Sequence, residues 1–216
     1  MIRLSAFLPL VLAACTVPSV APPAPAPVSD PFIDTLSGHC GKAYAGRLVS
    51  SDARDADWAG RRMIAHFADC TPDRIAIALH VEDEAAPGGW NRSRTWLVRR
   101  GVSGAVSLHH DHRHADGEPD AVTLYGGTRD PSADPGHGTA LAAVFPVDEG
   151  SIALFERKGL AASTTNVWRM EVSADQAPDP YLAYQLTRRN DPTRLFRVRF
   201  DLSRPVPAPP PAWGWE

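Results

Sequence analysis

The dominant pattern in the chain is a two-residue alternation of apolar and polar positions. In 74–81, Ile75, Ile77, Leu79 and Val81 share one parity while Arg74, Ala76, Ala78 and His80 share the other. In 195–202, Phe196, Val198, Phe200 and Leu202 alternate with Arg197, Arg199 and Asp201. Successive side chains of a strand point to opposite faces, so both stretches predict strands with one buried face. Weaker versions recur at 42–49, 61–67, 93–99, 106–114, 121–125, 139–146, 151–155, 166–172 and 181–188. Turn chemistry separates them: Pro72-Asp73, Pro87-Gly88-Gly89, Gly117 to Asp120, Gly126-Gly127, and a glycine, proline and aspartate loop at 128–138.

No stretch carries the period of a long helix. About ten short strands joined by short turns predict an all-β domain. Its expected architecture is an antiparallel meander closing into an up-and-down, calycin-like barrel, or a strongly bent sandwich, both of which manage edge strands. The domain is expected over 38–204, and a barrel of about eight to ten strands has room for one small ligand. The length of 216 residues and a hydrophobic fraction of 44% suit a single core. A formal charge of −3 provides no electrostatic attraction to nucleic acid.

Both ends differ from this pattern. Met1-Ile2-Arg3 is a short basic start, and 4–14 is an apolar run shorter than the roughly 20 residues of a spanning helix. Residues 1–14 therefore read as a signal peptide. Leu12-Ala13-Ala14-Cys15 resembles the lipobox of bacterial lipoproteins, which implies acylation of Cys15 and a membrane anchor. Thr16 after the cysteine, by resemblance to lipoprotein sorting in Gram-negative bacteria, implies the outer membrane, with the protein facing the periplasm. Residues 15–37 read as a linker whose Pro22-Pro23-Ala24-Pro25-Ala26-Pro27 forms a polyproline-like spacer, and 205–216 reads as a Pro-rich tail, ordered only if Trp213 and Trp215 dock. In an exported compartment Cys40 and Cys70 are expected to form a disulfide.

Candidate chemistry concentrates in one place. Four of the eight histidines, His109, His110, His112 and His114, fall within six positions of a predicted strand. Strand parity continues Val106 and Leu108 into His110, His112 and His114, turning His109, Asp111 and Arg113 to the other face. Neutral imidazoles on a polar floor suit metal binding and general-base chemistry. Alternate residues are about 6.7 Å apart, so His110 and His112, or His112 and His114, can meet at one divalent ion such as Zn²⁺, whereas His110 and His114 cannot. A third ligand must come from elsewhere, with His80, Asp116, Asp120 and His137 as candidates. Alternatively, the histidines belong to a structural polar network, or to a small-molecule or anion site in which Arg94 and Arg113 bind carboxylate or phosphate. Asn166 shares a face with Trp168 and Met170 and needs an interior partner, protein or ligand.

His112 to Asp116 superficially resembles the metallo-β-lactamase signature, but Gly117 stands where that motif has a further histidine. The motifs SRTW, HDHRHADG, TLYGG, FPVD, NVW and FRVRFDL together resemble a family of uncharacterised secreted proteins and lipoproteins of bacteria, across 38–202. That resemblance implies one continuous domain and carries no activity. The functional expectation is a cell-envelope lipoprotein binding a small ligand or metal through its interior histidines. The alternatives are an envelope hydrolase with a metal or histidine base at the same place, and a structural lipoprotein binding an envelope partner.

Overall fold

A computed structural model describes residues 29–101, 103–134, 140–174 and 176–216. The expected signal peptide, Cys15, the polyproline spacer and His137 lie outside these residues. The described chain forms ten strands: β1 (Ala43–Leu48), β2 (Met63–Thr71), β3 (Arg74–Glu82), β4 (Trp90–Arg100), β5 (Val106–His112), β6 (Tyr125–Thr128), β7 (Ala140–Pro146), β8 (Asn166–Ser173), β9 (Tyr181–Arg188) and β10 (Asp191–Asp201). All belong to one antiparallel sheet in the order β6-β5-β4-β3-β2-β1-β10-β9-β8-β7. The chain is thus a meander whose last strand returns to pair with the first, and the sheet is nearly closed into a barrel.

The remaining seam lies between β6 and β7. An isolated bridge joins Gly127 to Val147, and the Asp130 and Asp148 amides donate to the carbonyls of Val144 and Gly126 at 2.8 and 3.1 Å. Two glycines make this approach possible. A Cβ on Gly126 would lie 1.9 Å from the Leu108 carbonyl oxygen, and one on Gly127 would lie 2.0 Å from that of Pro146. Helix α2 (Glu149–Arg157) covers the seam, its Ser151 hydroxyl accepting from the Gly126 amide at 2.8 Å.

Residues 151–155, expected as a strand, lie inside α2. Asp148 caps the helix by accepting from the Ser151 amide at 2.8 Å, and Ser151 and Phe155, four apart, share its buried face. Five residues of alternating character fit either period, and the cap decides. The expected strand at 121–125 begins only at its last residue: Asp120 folds back to accept from the Val122 amide at 2.7 Å, and Leu124 adopts a positive φ of 57°.

The folded unit also starts earlier than residue 38. Helix α1 (Pro31–Ser37) is capped by Asp30, which accepts from the Phe32 and Ile33 amides, and it buries Phe32, Ile33 and Leu36. It sits at the end of the barrel where β4 ends and β5 begins, with Asp34 paired to Arg100 at 2.5 Å. The middle of the barrel is filled by Tyr44, Phe67, Ile77, Trp96, Leu108, Phe145, Trp168 and Phe200, all at most 2% exposed. Cys40, just after α1, is disulfide-bonded to Cys70 on β2.

The outer face of β3 is buried as well as the inner one: Ala76, Ala78 and His80 are at most 1% exposed. The C-terminal tail covers it. Trp213 donates its amide to the Arg92 carbonyl at 3.1 Å, the Trp215 indole donates to Asp111 Oδ2 at 2.9 Å, and Arg92 reaches the Pro211 carbonyl.

Candidate functional site

The end of the barrel opposite α1 is built differently. The β4–β5 register pairs Val98 with Leu108, Trp96 with His110 and Arg94 with His112. Strand parity turns all six inward, so the wall changes from aliphatic to aromatic to polar as it approaches this mouth. Tyr184 and Leu186 of β9 and Arg194 and Phe196 of β10 face them. A short 3₁₀ segment, Ala53–Trp58, supplies Asp55 and Trp58. With Arg94, Trp96, His110, His112 and Tyr125, and above the buried Val98–Leu108 pair, these residues line a cavity of about 180 Å³ that opens to solvent.

The histidines in it are held by hydrogen bonds that fix their chemistry. His110 Nδ1 lies 3.0 Å from the Tyr125 carbonyl, which can only accept, so Nδ1 carries the proton. Its Nε2 is then an acceptor, and Tyr184 Oη donates to it at 2.8 Å. His112 Nε2 and Tyr125 Oη share a hydrogen bond of 3.0 Å. The rings are also packed face to face: His110 stacks on Tyr125 at 4.8 Å and Trp96 on Tyr184 at 4.5 Å.

Burial keeps these groups uncharged. It pushes His110 down to about 3, and burial together with the nearby Arg94 charge pushes His112 down to about 4. Burial pushes the Tyr125 phenol up to about 12 and the Tyr184 phenol well above its usual range. The pair at the rim remains ionic: Arg194 donates to both carboxylate oxygens of Asp55 at 2.5 and 2.9 Å and to Asp52 at 2.9 Å.

Among the described residues Arg94 has no such partner. Its Nη1 donates to Ser93 Oγ at 2.9 Å and Asn91 Oδ1 at 3.4 Å, both neutral, and its guanidinium carbon lies 5.0 Å from the centre of the Trp58 ring. Burial lowers its affinity for the proton, although not enough to discharge an arginine.

Family models, curated proteins and solved structures provide no match to this chain.

Of the residues singled out in the sequence, His110, His112 and Arg94 meet at the cavity. His114 does not: β5 ends at His112, Arg113 bridges back to Pro119, and the exposed His114 ring lies 3.8 Å from Asp120. Arg113 faces outward, donating to Asp111 and to the Gly117 carbonyl, each at 3.0 Å. Asp116 is exposed and caps the Glu118 amide at 3.0 Å. Asn166 is buried at the start of β8, and its Oδ1 accepts from Arg188 Nε at 3.0 Å, so its partner is protein. His80 lies under the tail on the outer face. Among the described residues no three His, Cys, Asp or Glu side chains converge to hold a metal ion. Tyr125, Tyr184, Trp58, Asp55 and Arg194 were not singled out. Tyr184 had a legible signal, its parity with Leu182 and Leu186, whereas Trp58 and Asp55 come from a segment without alternation.

Proposed function

We propose that the chain is a small-molecule-binding protein of the bacterial cell envelope, taking a planar organic ligand into the open mouth of its barrel. The observation that carries this reading is the contrast between the two ends of one barrel. Helix α1 plugs one end, while the other keeps a cavity of about 180 Å³ walled by Trp58, Trp96, Tyr184 and Phe196. Aromatic walls with a few converging polar groups are characteristic of small-molecule sites. The volume falls below the roughly 300 Å³ at which drug-sized pockets begin, favouring a ligand of one or two rings.

Binding is a better account than hydrolysis. The nitrogens of His110 are taken by Tyr125 and Tyr184, and no serine or cysteine lines the cavity among the described residues. The same commitment of His110 disfavours a metal shared with His112. The envelope location rests on the lipobox at Cys15, acylated and anchoring the protein to the outer membrane on its periplasmic side. The Cys40–Cys70 disulfide supports an oxidising compartment.

Leu186 lines the cavity without joining the polar network, so Leu186→Trp fills the space and leaves the hydrogen bonds intact. Calorimetric titration with phenol and indole is expected to show binding to the native protein, weakened at least about tenfold in Leu186→Trp. Binding that is absent, or indifferent to the substitution, would refute the proposal.

A further inference from the structure

We infer that the ligand of the barrel mouth is an aromatic monocarboxylate whose carboxylate completes an ion pair with Arg94, an inference that rests on the binding function proposed above. Several other arginines of this protein are met by carboxylates, although Arg188 is bonded to the neutral Asn166. Arg194, at the same rim, is gripped by both oxygens of Asp55 and by Asp52. Arg54 is held by Asp52 and Asp191, Arg129 by Asp30 and Asp134, and Arg62 by Glu82. Arg94 is more enclosed than Arg54 or Arg62, yet among the described residues no carboxylate comes within ion-pair distance of it.

A charge withdrawn from water without a counter-charge is unfavourable, and the Trp58 ring and two neutral oxygens compensate it only in part. Asp57 and Asp83 line an adjoining pocket with Arg94 and Arg61, Asp83 pairing with Arg61 at 3.7 Å, and neither comes within ion-pair distance of Arg94. Asp55 is committed to Arg194, and Asp120, whose field reaches the guanidinium, accepts from the Val122 amide and lies beside His114. The missing counter-charge is therefore one that a ligand can bring.

The surroundings restrict that ligand further. His110 and His112 are neutral, the tyrosines keep their protons, and Arg194 with Asp55 sums to zero, so the described residues lining the cavity carry one net positive charge, that of Arg94. A single negative charge neutralises it. A phosphate dianion would leave an excess negative charge against Trp58, Trp96 and Phe196, with no second free cation among the described lining residues to meet it. A carboxylate also matches the planar fork of a guanidinium. The stacked Trp96–Tyr184 pair and the Phe196 and Trp58 rings favour a flat, unsaturated body attached to that carboxylate.

The experiment compares each acid with its uncharged isostere. Benzoate, nicotinate and indole-3-carboxylate are titrated calorimetrically into the full chain at pH 7, each beside its primary amide, and again into Arg94→Gln. The acids are expected to bind at least about tenfold more tightly than the amides, and Arg94→Gln to abolish that difference. Should Arg94→Gln fail to fold, the acid-to-amide ratio in the native protein decides. Amides that bind as well as acids would overturn the carboxylate inference and leave the binding function standing. No binding by either series, together with no binding of phenol or indole, would overturn both.

Discussion

The Tyr184 hydroxyl donates to Nε2 of His110 at 2.8 Å, tying β9 to β5 across the interior of the barrel. The bond is directional, because the Tyr125 carbonyl has already claimed the Nδ1 proton. Replacing Tyr184 with phenylalanine keeps the ring stacked on Trp96 but strands a buried acceptor. Tyr184→Phe is therefore expected to lower unfolding free energy by about 1–3 kcal/mol, read from urea denaturation. An unchanged midpoint would mean that His110 is not held by this bond.

Burial of neutral histidines makes stability depend on pH with a definite sign. His110 is lowered to about 3 and His80 and His112 to about 4, in each case chiefly by burial. In the unfolded chain they titrate near 6.5. Below that value the unfolded state binds protons that the folded state refuses, so stability is greatest above about pH 6.5 and declines as pH falls towards 4. A tenfold difference in proton affinity between the two states is worth about 1.4 kcal/mol, so the three imidazoles together contribute several kcal/mol. The urea midpoint is expected to fall steadily between pH 7 and pH 4.5; a flat profile would contradict the assignment of neutral, buried imidazoles.

His80 provides a more selective test. It lies on the outer face of β3 under the tail, with neither ring nitrogen hydrogen-bonded among the described residues, and with His66 and Arg92 as charged or titratable neighbours. Removing an imidazole that makes no bond forfeits little. His80→Leu is expected to be within about 1 kcal/mol of the native protein at pH 7 and clearly more stable than it at pH 5, flattening part of the acid slope. A large loss at pH 7 would mean that His80 is hydrogen-bonded after all.

The tail is part of the fold, since Trp213 is only 8% exposed and Trp215 is bonded to Asp111. Trp213→Ala is expected to cost about 3–5 kcal/mol and to admit water to His80, raising the pH at which its imidazole titrates by NMR. A tail that contributed nothing would leave both quantities unchanged.

The Cys40–Cys70 bond closes a loop with a sequence separation of 30. In the chain-entropy picture its removal by a Cys40→Ala, Cys70→Ala double substitution lowers stability by about 3.5 kcal/mol, checked by urea denaturation. Retained stability would imply a compact unfolded state that the bond hardly restrains.

Much of this architecture is written in local patterns. Ile75 to Val81 and Phe196 to Leu202 alternate as their burial requires, and the inward parity of Arg94, His110 and His112 follows from counting twos. What parity misses is set by tertiary contacts or by caps. Ala76, Ala78 and His80 should face water, and are buried because the tail returns over them. Ser151 to Phe155 alternates like a strand, and Asp148 makes it a helix. His114 continues the histidine row in sequence, but the turn bridging Arg113 to Pro119 removes it from the interior. The mouth itself combines segments as distant as Asp55 and Arg194, which meet only because β10 pairs with β1. No local signal announces that pairing.

Ligand entry at this mouth is the central claim, and the indole N–H signals of the tryptophans report on it directly. Trp58 and Trp96 line the cavity, whereas Trp213 and Trp215 belong to the tail on the outer face. In a ¹H–¹⁵N titration with indole-3-carboxylate, the Trp58 and Trp96 signals are expected to shift saturably while those of Trp213 and Trp215 stay in place. Shifts confined to Trp213 and Trp215, or none at saturating ligand, would contradict the account.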